Sequence, residues 1–220
     1  MDHRRLTLRL AGVSLAVART LLANARFEPR KPVVFWIPAA AFQNAAGRMV
    51  KGSQVGLRDP EALGDVVLCS GKSGRSANAA SYCEYRVNLP RKGRWTFWAR
   101  VRYPAGGDLS FGIVLPGEPV TLTGKQVLGN CGLNKGQWHW TGRGGGSTTA
   151  PPGGPVVFTL NRGEFTFRIH PRENGGAAAA NPRLDCLCVT DDPDYVPNDA
   201  DAKAGLAASV QAPVVDKKGT

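Results

Sequence analysis

The chain has 220 residues, 27 of them Gly and 16 Pro, which suits one turn-rich all-β domain with tails and argues against a long-helix architecture. Its formal net charge of +11 favours anionic partners, yet the basic residues are scattered over 29–31, 86–102 and 162–183. Without a Lys/Arg block or interleaved stacking aromatics, nucleic acid is not an expected partner.

Residues 1–25 stand apart. Arg4, Arg5 and Arg9 precede an apolar run over 10–18, and Ala23-Asn24-Ala25 forms an A-x-A pattern. A basic, an apolar and a small-residue segment in this order read as a signal peptide cut before Arg26, predicting an exported protein, extracellular or periplasmic. Arg19 interrupts the apolar stretch, and a short amphipathic helix is the alternative. The segment holds four Arg and one Asp, so the remainder keeps about +8. No 18-residue apolar run follows, so no transmembrane segment is expected in the mature chain.

Residues 26–32 read as a linker and 33–197 as a β-sandwich domain. Strands are expected over 33–37, 65–69, 81–89, 94–103, 109–115, 137–141, 156–160, 164–170 and 183–190, with a short one near Val127. The stretch 94–103 alternates most cleanly: Trp95, Phe97, Ala99 and Val101 on one face, Thr96, Trp98, Arg100 and Arg102 on the other. The Gly- and Pro-punctuated segments 43–60, 71–78, 116–133 and 142–155 read as irregular. Beyond Pro197 the chain is rich in Ala, Asp and Lys and lacks aromatic residues, so 198–220 reads as a disordered tail.

Sugar rings stack their apolar C–H faces on indoles and phenols while their hydroxyls take polar partners. Trp138, Trp140, Trp98 and Tyr82 are candidates for such stacking, with Trp138 and Trp140 on one strand face; Trp36 and Trp95 fit the core. Trp138, near the loops, is the preferred contact. Arg172, Glu173, Asn174 and Arg183 could supply polar contacts, with a surface Arg172–Glu173 ion pair as the structural alternative. Asn181 is a further polar candidate. The run Asp191-Asp192-Pro193-Asp194, with Asp199 and Asp201, lacks the spacing of a calcium loop and reads as a strand-ending turn.

The five cysteines have no C-x-x-C spacing, which argues against a zinc site. Cys186 and Cys188 fall on one strand face. A Cys69–Cys83 bridge is a guess, and core thiols are the simpler role. Paired carboxylates, a G-x-S-x-G elbow and a Ser/His/Asp grouping are missing, so no enzyme is expected.

Several stretches taken in order resemble the galactose-binding-like jelly rolls that include carbohydrate-binding module families 6 and 35. They are V-F-W-I-x-A-x-x-F at 34–42, L-P-x-x-G-x-W-x-F-W-A-R-V-R at 89–102, G-x-W-x-W at 136–140, L-x-x-G at 160–163 and R-L-D-x-L at 183–187. The resemblance implies an all-β jelly-roll β-sandwich that binds a polysaccharide or oligosaccharide, in some cases beside a partner enzyme. It puts the sugar site at Trp138 and Arg183, with Tyr82 a looser match; an Arg at 183 would suit an anionic sugar. It also implies a structural calcium at Asp185, although the family's two glutamates are replaced by Pro38 and Ala40. The competing readings are a structural or protein–protein interaction module without sugar binding, and a hydrolase needing a second acid near Asp185.

Overall fold

The alternation in the longer strands sorts side chains onto two faces. In β5 (Tyr82–Leu89) Cys83, Tyr85, Val87 and Leu89 are buried while Arg86 and Asn88 face solvent. In β6 (Gly93–Arg102) Trp95, Phe97, Ala99 and Val101 point into the core. The computed structural model describes residues 30–71, 75–104, 110–129, 136–143, 154–172 and 180–211. The expected signal segment, Cys131, Glu173 and Asn174 lie outside the described residues.

Two antiparallel sheets face each other across this core. The first contains β3 (Met49–Lys51), β4 (Val67–Cys69), β12 (Arg183–Thr190), β6 and β10 (Val156–Leu160) in that order. In it β1 (Val34–Pro38) also pairs with β12, and β9 (His139–Thr141) with β6. The second runs β2 (Asn44–Ala46), β5, β11 (Gly163–Pro171), β7 (Ser110–Val114) and β8 (Val127–Gly129). Between them Tyr85 stacks on Phe167 at 5.4 Å, and Phe97 meets Phe158 and Phe167 edge-on. Each such fully buried apolar side chain contributes about 1.5–3 kcal/mol, so this layer dominates the stability of the sandwich. The all-β sandwich read from the sequence is the fold.

Three segments differ from expectation. The stretch read as irregular over 43–60 contains β2 and β3, three residues each, too short for alternation to register. The loop expected at 71–78 runs into helix α1 (Arg75–Ala80). The tail expected to be disordered contains helix α2 (Asp199–Gln211), packed on β1. Asn198 caps α2 by accepting from the Asp201 N–H at 2.9 Å, and Asp199 and Asp201 complement the positive end of the helix.

The guessed Cys69–Cys83 bridge is absent. Both are buried thiols on different sheets, β4 and β5, and Cys69 Sγ donates to the Gly71 carbonyl. Burial pushes the Cys83 and Cys186 thiols up to about 12 and Cys188 higher still, so none of the three is a nucleophile at neutral pH.

Candidate functional site

Strand register fixes what lies together on the outer face of the larger sheet. One row crosses Trp36, Cys188 and Trp98; the next crosses Pro38, Cys186, Arg100 and Trp140. A bulge between Leu184 and Cys186 adds Asp185 to the strand, and its carboxylate meets Arg100.

Arg100 is the centre of this face, with 4% of its side chain exposed. Its Nη1 donates to Asp185 at 2.5 Å. Its Nε and Nη2 donate to the two oxygens of Asp199, at 2.8 and 2.7 Å. Burying a guanidinium costs several kcal/mol, which only such a satisfied donor set offsets. The guanidinium also lies 4.9 Å from the centre of the Trp138 ring, a cation–π contact.

Asp59 organises the neighbouring pairs from a loop. Its buried carboxylate accepts from Arg183 at 2.5 Å, from Arg102 at 3.1 Å and from the Trp138 indole N–H at 3.4 Å. Arg102 donates also to Glu61 at 2.8 Å. Trp140 donates to Asp199 at 3.0 Å and meets Trp36 edge-on at 5.6 Å. Above this framework opens a polar groove of about 420 Å³, lined by Trp138, Gln137, Glu61, Arg102, Arg100 and Lys203, with Gly136 and Asp199. Trp138 stands half-buried on the turn before β9, where Gly136 adopts a φ of +71° and donates to the Tyr103 carbonyl.

The residues singled out from the sequence separate into distinct places. Trp138 lines the groove. Arg183 lies behind it, joined to it through Asp59, with its guanidinium held in the buried ion pair. Trp98 is 7% exposed and Asn181 fully buried, so neither is open to a ligand. Asn181 clamps the chain by donating to the Cys69 carbonyl at 2.6 Å. Tyr82 belongs to the other sheet, under the Arg168 guanidinium at 4.1 Å and beside His170. Arg172 donates to the Leu122 carbonyl and Ser110 Oγ, and thus braces loops. Trp36, expected in the core, lies on the outer face beneath α2, where a Cβ on Gly205 would overlap its ring. Asp191 and Asp192 accept the backbone N–H groups of Val33 and Asp194, as expected of a strand-ending turn.

Arg100, Asp59, Glu61, Gln137, Asp199 and Lys203 were missed as site residues. Arg100 and Arg102 did carry a signal, two cations beside Trp98 on the polar face of a well-formed strand. Asp59 and Glu61 carried none, because a loop acid has no periodicity.

Calcium does not fit at Asp185. One oxygen accepts from Leu63 N–H and Arg100, the other from Gly64 N–H, so positive ends already fill the space a cation would need. Pro38 and Ala40 offer no carboxylate in compensation.

The carboxylates of the grooves suit holding rather than proton transfer. Burial pushes Asp59 upward, but the Arg183 and Trp138 donors and the Arg102 charge hold it below the ordinary carboxylate range. Arg100 holds Asp199 low. A second groove, of about 350 Å³ on the smaller sheet, is lined by Glu84, held low by Asn44 and Arg168, and Glu118, held low by Lys125. Burial raises Asp185, but its side chain is sealed from solvent, so it cannot serve as the hydrolase acid.

No protein-family model matches the chain. No curated protein matches it either. Among solved structures it is similar to the C-terminal family 6 carbohydrate-binding module of LamC, a laminarinase of Zobellia galactanivorans, at 17% identity and a TM-score of 0.43, covering 72% of this chain and 99% of that one. It is similar to a family 35 module from Clostridium thermocellum at 17% identity and a TM-score of 0.43, covering 73% and 98%. A family 6 module of Cellvibrio mixtus lichenase 5A, solved with cellotriose, is also similar, at 17% identity and a TM-score of 0.38, covering 70% and 94%.

Proposed function

We propose that the chain is an exported, non-catalytic carbohydrate-binding module whose site is the groove around Trp138. One observation carries this reading. A half-buried indole is fixed by Arg100 against its face and by Asp59 at its N–H, and it lines an open groove bordered by hydrogen-bonding side chains. A rigid aromatic ring loses little freedom when a sugar stacks on it, and Gln137, Glu61, Arg102 and Lys203 offer donors and acceptors for hydroxyls. Arg183 acts indirectly, by holding Asp59 in place. Partners are polysaccharides or oligosaccharides, in company with an enzyme on the same or another chain.

Affinity electrophoresis of the folded protein and Trp138→Ala over neutral and uronic-acid polysaccharides tests the reading. Retardation that disappears in the variant supports it. A folded protein retarded by no glycan would favour the alternative, a structural or protein-interaction jelly roll. Export is tested separately by the mass of the protein recovered after secretion, which should begin at Arg26.

A further inference from the structure

Helix α2 is weakly seated for a helix that covers so much. Among its residues 199–209 only Ala202 is fully buried, and 203, 204 and 207–209 are exposed. Its attachment is concentrated at its first turn and at Gly205, which lies flat on the Trp36 indole. At the first turn Asp199 presents its carboxylate to Arg100 in a two-pronged bond and takes a third bond from Trp140. Half of the Asp199 side chain is exposed, whereas Arg100 is almost fully buried. A carboxylate gripped by a guanidinium fork and an indole N–H, beside an aromatic ring, is bound as an acidic ligand would be.

We propose that α2 is a displaceable strap over a second part of the binding face, and that Asp199 stands in for the carboxylate of the ligand. This rests on the glycan-binding reading and deepens it. With α2 docked, the charges around the groove pair off: Arg183 and Arg102 with Asp59 and Glu61, Arg100 with Asp185 and Asp199. With α2 lifted, Arg100 keeps Asp185 and two long bonds to the Glu61 carbonyl but loses both bonds to Asp199, and Trp36 and Trp140 lose their cover. The uncovered face then offers two indoles continuous with Trp138 through Arg100, and a buried cation with open donors. Its matching ligand is a chain of sugars bearing carboxylates, longer than the docked groove accepts. Lys203, which borders the groove from α2, leaves with the strap and so belongs to the closed state.

The test uses the full chain as wild type, Asp199→Asn and Gly205→Leu. The first variant removes the competing charge, and the second wedges the helix off Trp36. Hydrogen exchange over 199–211 reads docking, and calorimetric titration reads affinity for tetragalacturonate and for a neutral galactose tetramer. We expect fast exchange in α2 of Gly205→Leu and binding of tetragalacturonate about tenfold tighter in both variants, with a smaller gain for the neutral tetramer. In wild type, saturating tetragalacturonate should release α2 to exchange. Unchanged tetragalacturonate affinity in both variants, or an α2 that stays protected in the saturated complex, overturns the strap while leaving glycan binding in place. Binding of neither tetramer by any of the three proteins ends both readings.

Discussion

The Asp59 carboxylate accepts from two guanidiniums and an indole while almost wholly buried, so its removal would take the buried counter-charge from Arg183 and leave Arg102 with the exposed Glu61 carboxylate. Breaking a buried pair by deleting one partner costs about 3–5 kcal/mol, more than the loss of a typical surface ion pair. Asp59→Ala should therefore lower the urea stability by that amount, and a loss under about 1 kcal/mol would contradict the network described here. His170 offers a pH test. Burial holds its imidazole below the ordinary histidine value, so the unfolded chain takes up a proton that the folded chain resists. Stability should be intact above about pH 6.5 and decline as the pH falls from there toward 5. His139, lowered by burial as well, adds to the same slope. His170→Gln should make that decline shallower; an identical slope would remove His170 from the account. At this scale the place of Trp138, at the loop-proximal end of its strand, was legible from the sequence, and there it lines the groove. The role of Arg183 was not, because its partner Asp59 lies 124 positions away in a segment without pattern.

The long strands announced themselves as elements. Ten residues of clean alternation in β6 and eight in β5 left one face apolar, and the structure buries that face. β2 and β3 stayed hidden because three residues cannot display a period. α2 was hidden for a different reason: its Ala-rich sequence has helix propensity but no apolar stripe, so nothing signalled a helix seated by one carboxylate, one Ala and one Gly. β12 holds the element-scale prediction. Its Asp185 is committed to Arg100 and two backbone N–H groups, so the cation that fastens this strand is a guanidinium. Millimolar calcium or a chelator should shift the melting temperature by less than about 1 °C, because a ligand stabilises only the state it binds. A calcium-dependent rise of several degrees would contradict the fit argued for this site.

For the molecule as a whole, the fold could be read from composition and periodicity, whereas the arrangement of the site could not. Two sheets follow from many short alternating segments between turns. The arrangement of the outer face that carries the proposed binding surface depends on register, on a bulge at Asp185 and on a helix that follows the last strand. The same dependence governs what the basic residues do beside the groove. The net charge of +11 suggests a cationic site, yet the arginines nearest the groove are matched by acids that arrive from distant loops and from α2. Ion pairing thus makes the resting groove polar rather than strongly positive, and under the proposed function the aromatic ring at its edge becomes the feature on which binding turns. The most direct measurement is calorimetric titration of the most strongly retarded glycan into wild type, Trp138→Ala and Trp138→Phe, each shown to be folded. The account predicts that Ala weakens binding at least about tenfold and that Phe recovers part of it, since a smaller ring still stacks. Equal affinity for all three proteins would contradict it.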